Sequence, residues 1–293
     1  MAETPFGFFN LDKPLGMTSH TVVAKLRRLL NIKKVGHAGT LDPLATGVLV
    51  MCVGPATRLS EYAMSSTKRY MASVTLGVET TTYDAEGEIV AEKDATHISL
   101  ADVEQVLPAF TGEIDQLPPL YSAIKKGGRK LYEIARAGET VEREVRQVTI
   151  NSIQLLDWSP PVATLDVVCG AGTYIRSLAY DIGVALDVGG HLSGLQRTQS
   201  GVFHIADAVT LDELQQADDP TAHLLAPDVT LQDMPALHMD QAVYDDIRHG
   251  RFIENIIDLS GDALARAYGP DGTFVALLRV QGGLLRPHKV FSR

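Results

Sequence analysis

One acidic residue stands in a segment rich in glycine and proline, VGHAGTLDPLATG at residues 35–47. Ordering such a segment is costly, because glycine loses more backbone freedom on folding than any other residue. The acid is Asp42. A carboxylate held rigidly in a loop can act as a nucleophile or stabilise a developing positive charge. An aspartate in a loop can equally close a tight turn by bonding its own backbone, and the segment alone leaves both interpretations open.

Predicted secondary structure on both sides would hold this segment in place. Residues 18–31, TSHTVVAKLRRLLN, begin with the capping candidates Thr18 and Ser19 and carry apolar residues at helical spacing. A continuous apolar run, VLVMCVG at 48–54, predicts a strand that is buried on both faces. The segment with Asp42 therefore joins a helix to a buried strand.

The rest of the chain mixes strand and helix patterns. Further strands are predicted at 7–14, 68–78, 147–157, 162–169 and 191–203, and further helices at 99–110 and 172–187. Residues 117–146, rich in proline, glycine and charge, predict an exposed excursion with one short helix near 130–137. These elements predict an α+β fold with a mixed, largely antiparallel sheet and flanking helices.

The character of the sequence changes after about residue 225. Strand patterns separated by Pro-Asp-Gly and Gly-Gly turns predict two to three strands in this part of the chain. We expect a first domain over residues 1–225 and a small, mostly β domain over residues 226–293.

The composition limits the class of protein. A hydrophobic content of 45% and a charged content of 21% are typical of a soluble globular protein. No apolar run approaches the roughly 20 residues of a membrane span, and the first residues lack the pattern of a signal peptide. Cys52 and Cys169 lie in apolar runs, which predicts buried free thiols in a reducing cytoplasm. The spacing of cysteines and histidines indicates no metal site.

The charge is unevenly distributed along the chain. A net charge of −10 by itself argues against a nucleic-acid partner. Basic residues nevertheless cluster at 25–34 and 125–130, whereas the acids lie mainly at 79–115 and 207–271. Local patches rather than net charge decide binding. Each cluster alone is at least as compatible with a solvated helix face or turn, so RNA binding stays open on charge alone.

Six stretches occur in an order that is typical of one enzyme family. They are NLDKPLGMTSH (10–20), VGHAGTLDPLATGVL (35–49), KRYMASVTLG (68–77), YSAIK (121–125), GTYIRSLAYDIG (172–183) and HLSGLQRTQSG (191–201). Together they resemble the bacterial tRNA pseudouridine-55 synthases, the TruB family, over about residues 7–203. The long second stretch is specific, whereas GTYIR and KRY are weak signals singly. The resemblance implies the pseudouridine synthase fold and the conversion of uridine 55 in the tRNA T-loop to pseudouridine by base flipping, without a cofactor.

The resemblance assigns three catalytic residues. Asp42 matches the carboxylate that acts at the sugar C1′, as a nucleophile or as an electrostatic partner, by the logic of a retaining glycosidase. Arg176 matches the arginine that pairs with this carboxylate and keeps it ionised. Tyr70 matches the tyrosine that stacks on the target base and is a candidate for deprotonating the sugar. Without the resemblance, Tyr70 would be assigned to a strand core, and Arg176 could equally be an ordinary exposed charge on a helix.

Further positions match substrate contacts of the family. Tyr174 and Leu195 match the wall of the uracil pocket, and His37 matches the histidine that fills the gap left by the flipped nucleotide. Lys13 lies in the first stretch and is expected to be structural or to face RNA. Asp84 occupies a position where the family also has an acid, with its role left open.

Two larger segments match RNA-binding parts of the family. Residues 117–146 coincide with a thumb-like insertion that clamps the T-loop, so Tyr121, Lys125 and Lys130 are expected to contact RNA. The region 226–293 resembles, in size and β content, the PUA-like RNA-binding domain. The expected partner is the T-stem-loop of tRNA. No protein partner, membrane, metal or cofactor is expected, and we expect a cytoplasmic monomer.

Three alternatives stay open at this point. A guide-RNA-dependent relative shares the same motifs but tends to be longer, with basic tails. An RNA-folding chaperone would bind tRNA without chemistry, although the presence of Asp42, Tyr70 and Arg176 together favours a retained reaction. A glycoside hydrolase would need a second acid about 5–10 Å from the first, which the segment 35–47 does not offer.

Overall fold

The computed structural model describes residues 4–122, 124–137, 139 and 141–291, with the side chains of residues 125, 130, 132, 135 and 136 outside that description. Its strands are β1 (Gly7–Lys13), β2 (Val35–His37), β3 (Ala45–Val53), β4 (Lys68–Leu76), β5 (Val78–Thr80), β6 (Ile89–Glu92), β7 (Gly112–Gln116), β8 (Lys125–Lys126), β9 (Arg129–Lys130), β10 (Arg146–Ser159), β11 (Val162–Cys169), β12 (Gly190–Ser200), β13 (Phe203–His204), β14 (Val209–Thr210), β15 (Ala236–His238), β16 (Ile253–Glu254), β17 (Leu264–Tyr268), β18 (Phe274–Gln281) and β19 (Leu284–Val290). Its α-helices are α1 (Ser19–Leu30), α2 (Ser60–Met64), α3 (Leu100–Val106), α4 (Leu131–Arg136), α5 (Ile175–Ala185), α6 (Leu211–Gln216) and α7 (Gln241–Arg248).

A ten-stranded sheet forms the body of the molecule. Its strand order is β14-β1-β3-β12-β4-β11-β10-β7, with β2 also paired to β3 and β13 to β12. The pairs β1–β14 and β3–β12 are parallel, and the other described pairs of this sheet are antiparallel. The predicted α+β fold with a mixed, largely antiparallel sheet is therefore confirmed.

The two long helices pack against this sheet with their apolar sides. In α1, the predicted cap Thr18 accepts a hydrogen bond from the backbone N–H of Thr21, and Val22 and Leu26 are buried in the main core. Helix α5 begins at residue 175, three residues later than predicted, because Gly172 adopts a left-handed backbone with φ of +88°. Glycine is the residue that most readily takes this conformation, which interrupts a helix.

Strand β3, which follows the Asp42 segment, is buried on both faces, as predicted. Leu49, Met51 and Val53 enter the main core, whereas Val48 and Val50 enter a second core on the other side of the sheet. The strand begins at residue 45 rather than at 48, because Ala45 pairs in parallel with Leu195 of β12. Strong burial on both sides fixes the register of the strand that follows the segment.

A separate sheet occupies the carboxyl-terminal region, with strand order β15-β17-β18-β19-β16. The sequence predicted two to three strands here; β15 and β16 were missed because they are only three and two residues long. Phe274, Leu277 and Phe291 of this region complete the second core behind β3. The boundary near residue 225 stays a prediction.

The segment between β7 and β10 contains the short hairpin β8–β9 and helix α4, which agrees with the predicted short helix. The side chains of Lys125 and Lys130, two predicted RNA contacts, lie outside the described part of the chain. Among the described residues, no helix combines the length and apolar character that crossing a membrane requires.

Candidate active site

Buried polar groups from two neighbouring elements anchor the Asp42 segment. The Ser19 hydroxyl, at the start of α1, accepts a hydrogen bond from the Leu41 backbone N–H and donates one to the Leu41 carbonyl, each at 2.9 Å. Asp42 closes a turn through its backbone carbonyl, which accepts from the Ala45 N–H at 3.1 Å. The turn and the functional interpretations are therefore compatible, since the carboxylate itself is not used to close the turn.

Lys13 holds the same segment from β1. Its side chain is fully buried, and its Nζ donates to the carbonyls of Met17 at 2.6 Å and Pro14 at 2.9 Å, with Pro43 at 3.5 Å. Burial lowers the pKa of Lys13 to about 8, against the attraction of nearby Asp42. Of its two predicted roles, the structure supports the structural one, because a fully buried ammonium cannot face RNA.

Arg197 of β12 is a buried support that the sequence did not reveal. Its guanidinium is almost fully buried and donates to the carbonyl of Val48 at 2.7 Å and to that of Gly39 at 3.1 Å. Gly47 has a φ of +92°, and a Cβ built there would lie 2.3 Å from the Arg197 carbonyl. The close approach of the Arg197 backbone explains why position 47 is a glycine, because any side chain there would collide with it.

Asp42 lies against Arg176, as the resemblance implied. The Asp42 Oδ2 is 3.0 Å from the Arg176 Nε, and the side chains are 40% and 7% exposed. The Arg176 guanidinium also donates to the carbonyl of Tyr121 at 2.8 Å. The arginine is therefore fixed from the protein side, while the carboxylate opens toward solvent and can meet a substrate.

Asp84 provides a second carboxylate to the same arginine. Its Oδ2 lies 3.1 Å from Arg176 Nη1, and its side chain is only 3% exposed. The Thr82 hydroxyl donates to Asp84 Oδ1 at 2.5 Å, and the Glu86 backbone N–H donates to the same oxygen at 3.1 Å. Asp84 therefore positions Arg176, a role that the sequence left open because 92 residues separate the two.

The electrostatic balance at Asp42 has opposing contributions. Desolvation raises the pKa of Asp42, and the negative charge of Asp84 acts in the same direction. Arg176 lowers this pKa, as predicted, but the effect of desolvation is the larger one. Arg176, with a smaller contribution from Lys13, therefore opposes protonation of the carboxylate in this site.

Tyr70 and Tyr174 lie close enough to Asp42 for its charge to raise the pKa of each phenol, although burial is the larger cause in both. Tyr70, on β4, is buried in the main core, which agrees with the core-packing interpretation; its catalytic role stays a prediction. Tyr174 is the residue that precedes the first turn of α5. Its backbone N–H donates to Gln116 Oε1 at 2.8 Å, and its carbonyl accepts from Gln116 Nε2 at 3.0 Å. Both phenols are protonated at neutral pH.

The remaining predicted contacts are distributed around the segment. Leu195 is half-buried on β12 and pairs with Ala45, at the start of the strand after Asp42. His37 ends β2; its ring meets that of His20 edge to face at 5.5 Å, and its Nδ1 is buried without a partner. Burial lowers the pKa of His37 to about 4, so this ring is neutral at physiological pH. Tyr121 enters the site through its carbonyl, the acceptor from Arg176.

Within the described part of the chain, no group of three or more histidine, cysteine, aspartate or glutamate side chains could hold a metal ion. The chemistry available to the site is that of an ionisable carboxylate, a fixed guanidinium and two phenols.

Solved structures define the class to which this architecture belongs. The chain resembles the one in a crystal structure of a Cbf5-Nop10-Gar1 complex, with a TM-score of 0.76 and 28% identity, covering 98% of this chain and 85% of that one. It also resembles a chain of an H/ACA RNP bound to a substrate RNA containing 2′-deoxyuridine, with a TM-score of 0.74 and 25% identity, covering 99% and 86%. The fold is that of the Cbf5 pseudouridine synthases.

Family models and relatives narrow this class. Residues 27–175 match the TruB family pseudouridylate synthase N-terminal domain, residues 176–240 a tRNA pseudouridylate synthase B C-terminal domain, and residues 234–292 a tRNA pseudouridine synthase II C-terminal model. Relatives named tRNA pseudouridine synthase B are 53% identical in Symbiobacterium thermophilum, over 83% of this chain and 82% of that protein, and 47% identical in Cupriavidus metallidurans, over 97% and 93%. The chain belongs to the TruB family of pseudouridylate synthases and is an isomerase.

Proposed function

We propose that this enzyme converts uridine 55 in the T-loop of tRNA to pseudouridine, with Asp42 as the catalytic carboxylate. The observation that carries the proposal is the Asp42–Arg176 pair, 3.0 Å apart, with the carboxylate on the solvent side and the guanidinium buried. The substrate is taken from the relatives, which are named tRNA pseudouridine synthase B at 43–53% identity.

The proposed reaction needs no redox step and no energy source. The bond between N1 of uracil and C1′ of the sugar breaks, the base rotates, and C5 bonds to C1′. The hydrogen on C5 leaves as a proton, and N1 ends protonated, so atoms and electrons balance. Positive charge develops at C1′ during cleavage, and an ionised Asp42 stabilises it by attack or by electrostatic attraction.

A flipped nucleotide would meet protein groups of suitable chemistry. Tyr70, Tyr174 and Leu195 supply aromatic and apolar surface for a uracil, which the pocket would read by shape and a few hydrogen bonds. His37 is neutral near pH 7, because burial lowers its pKa to about 4. A neutral ring can stack in the gap left by the nucleotide and offset part of the unstacking energy, a few kcal/mol.

RNA would be held by parts of the chain outside this pocket. We propose that residues 117–146 clamp the T-stem-loop, with Tyr121, Lys125 and Lys130 as RNA contacts, and that residues 226–293 add RNA affinity. In the second region, Arg248 stacks over Tyr244 at 5.5 Å and Arg286 over Phe252 at 5.6 Å, a combination that suits RNA bases and backbone. We propose that the enzyme acts as a monomer without a protein partner.

The test compares wild type with Asp42→Asn on an unmodified T-stem-loop RNA, with no other protein or RNA present. Asparagine keeps the size of the side chain and removes its charge. We expect wild type to convert the uridine at position 55, and Asp42→Asn to bind the RNA with unchanged affinity but to form no pseudouridine. Tritium release from C5-labelled uridine measures the reaction, and an RNA with cytidine at position 55 checks the site.

Each other outcome points elsewhere. Equal activity of both proteins would show that Asp42 only shapes the turn. Binding without conversion by wild type would favour a chaperone or a guide-RNA-dependent enzyme. Conversion at another uridine would keep the chemistry and refute the assigned position.

A further inference from the structure

Tyr83 adopts a backbone conformation that its side chain disfavours. It lies in the loop after β5, between Thr82 and Asp84, and its φ is +63°. A bulky residue rarely takes the left-handed region, where glycine and asparagine are the usual occupants. Such a conformation persists only where the surroundings impose it, and it is often found at functional sites.

The backbone around Tyr83 is bonded directly to the active site. Arg176 Nη1 lies 3.3 Å from the Thr82 carbonyl and 3.1 Å from Asp84 Oδ2, one residue on each side of Tyr83. The Tyr83 carbonyl accepts from the Leu192 N–H of β12 at 3.0 Å. The loop therefore cannot move without disturbing Arg176.

The Tyr83 side chain lies between α5 and the base of the 117–146 insertion. Its ring stacks on that of Tyr180, with centroids 4.2 Å apart and planes inclined by 20°. On the insertion side, the Arg143 guanidinium lies 5.8 Å from the Tyr83 ring centroid and 3.4 Å from its hydroxyl. Arg143 also donates to the Pro118 carbonyl at 3.0 Å, which ties together the two ends of the insertion.

The amino-terminal end of the insertion contacts the same helix. The Tyr121 carbonyl accepts from Arg176 Nη2 at 2.8 Å, and the Leu117 carbonyl accepts from the Ser177 hydroxyl at 2.7 Å. Both ends of the insertion therefore contact α5 or the loop beside it, one through Tyr121 and the other through Arg143.

We infer that Tyr83 and Arg143 are positioning residues, which couple the placement of the 117–146 insertion to the geometry of the Arg176–Asp42 pair. This inference rests on the proposed function, in which the insertion clamps RNA. Arg143 contacts the Tyr83 ring, and the loop that carries Tyr83 and Asp84 holds Arg176 against Asp42. The placement of the insertion and the alignment of the Asp42 carboxylate therefore depend on each other.

The principal variants are Tyr83→Asn and Arg143→Met, assayed in single turnover on the T-stem-loop RNA at saturating enzyme. Asparagine tolerates the left-handed backbone but lacks the ring. We expect each variant to lower the rate of conversion by about 10- to 100-fold, the scale expected for a small misplacement of reacting groups. For Tyr83→Asn we expect the Kd for RNA to stay within about 3-fold of wild type, which is less than one decade of affinity. Tyr83→Phe keeps the stacking ring and should recover most of the rate.

Two further readouts separate coupling from a merely structural role. If both residues act through one contact, the double variant should be no slower than the slower single variant, whereas independent effects multiply. The charged groups close to Asp42 are Arg176 of α5, Asp84 and Glu86 of the loop after β5, and Lys13 of β1. Loosening Arg176 raises the pKa of Asp42, so the acid limb of the rate profile should move to higher pH in Tyr83→Asn.

Lys93→Met is the matched control, because Lys93 lies outside the insertion and forms an exposed ion pair with Asp187, just beyond α5, at 2.8 Å. Its rate at saturation should stay within about 2-fold, since exposed ion pairs contribute little. Unchanged rates in Tyr83→Asn and Arg143→Met would overturn the inference, and so would effects that multiply in the double variant. In either case an active wild type would leave the proposed function standing. An inactive wild type would overturn both. Should Tyr83→Asn melt below the assay temperature, Arg143→Met decides alone.

Discussion

Replacing Arg176 by lysine tests the centre of the site without removing its positive charge. The guanidinium reaches four acceptors at once: Asp42 Oδ2 at 3.0 Å, Asp84 Oδ2 at 3.1 Å, the Thr82 carbonyl at 3.3 Å and the Tyr121 carbonyl at 2.8 Å. A lysine ammonium is a single point of charge with three donors and cannot reproduce this planar fork. We therefore expect Arg176→Lys to lose at least two of these contacts.

The size of the effect follows from these contacts. A hydrogen bond that involves a charged group contributes about 1.5–3 kcal/mol. If both lost contacts stabilise the transition state, the activation barrier rises by about 3–6 kcal/mol. This rise corresponds to a rate of conversion lowered by about 10²- to 10⁴-fold. The substitution should also lower the free energy of unfolding, because it leaves the buried Asp84 with a poorer partner.

The assay is single-turnover conversion of the T-stem-loop RNA, with RNA affinity measured in parallel. We expect the affinity to stay close to that of wild type, because the charge is retained. Arg69→Lys is the control: Arg69 also forms a two-point pair, with Asp166 at 2.8 Å for both contacts, but its side chain is 52% exposed. Its rate should change by less than about 2-fold.

A rate of conversion by Arg176→Lys that stayed within about 3-fold of wild type would refute this reasoning. A change of about 3-fold corresponds to about 0.7 kcal/mol of activation barrier. Charge alone would then suffice at Asp42, and the contacts with Asp84 and Tyr121 would have no part in the rate. A similar loss in Arg69→Lys would instead point to a general effect of the substitution on folding or RNA binding.

Two further predictions use the same structure. In Asp84→Asn the amide oxygen can still accept from Arg176, so the arginine stays beside Asp42, whereas the negative charge that raises the pKa of Asp42 is removed. The acid limb of the rate profile should therefore move to lower pH, and the plateau rate should fall by about 10-fold because Arg176 loses an ionic partner. An acid limb that moves to higher pH would contradict this prediction. Gly47→Ala, at φ +92° with its Cβ 2.3 Å from the Arg197 carbonyl, should lower the free energy of unfolding in urea by about 3 kcal/mol or more. Gly112→Ala, at φ +99° with open space around its Cβ, should cost only about 1 kcal/mol, and equal costs would show that the close approach at Gly47 is unimportant.

Local signals account for the elements that were predicted correctly. The apolar face of α1 and the run from Val48 to Val53 define a helix and a doubly buried strand by their residue pattern alone. The elements missed or misplaced have little pattern. They include the short strands β2, β7, β15 and β16, the short helices α2 and α6, and the start of α5 after the turn at Gly172.

The supports of the site had no comparable signal. Lys13 and Arg197 are buried cations that bond to backbone carbonyls, and a charged residue in a sequence is ordinarily assigned to the surface. Ser19 resembles any capping residue until its two bonds to Leu41 are seen. Asp84 could be noticed as an acid, but its partner is distant along the chain.

The sequence by itself determined the fold class, the family and the residues of the Asp42 segment, because those depend on residue types in a fixed order within short stretches. Only the tertiary structure decided that the Asp42 carboxylate pairs with Arg176 and that Asp84 holds this arginine. It also decided that Tyr83, in the loop with Asp84, contacts Arg143 of the insertion. These contacts join the Asp42 segment, the loop after β5, α5 and the insertion, and the Asp84–Arg176 contact alone spans 92 residues. A contact between distant segments depends on how the sheet brings them together, and no local pattern of residues records that geometry.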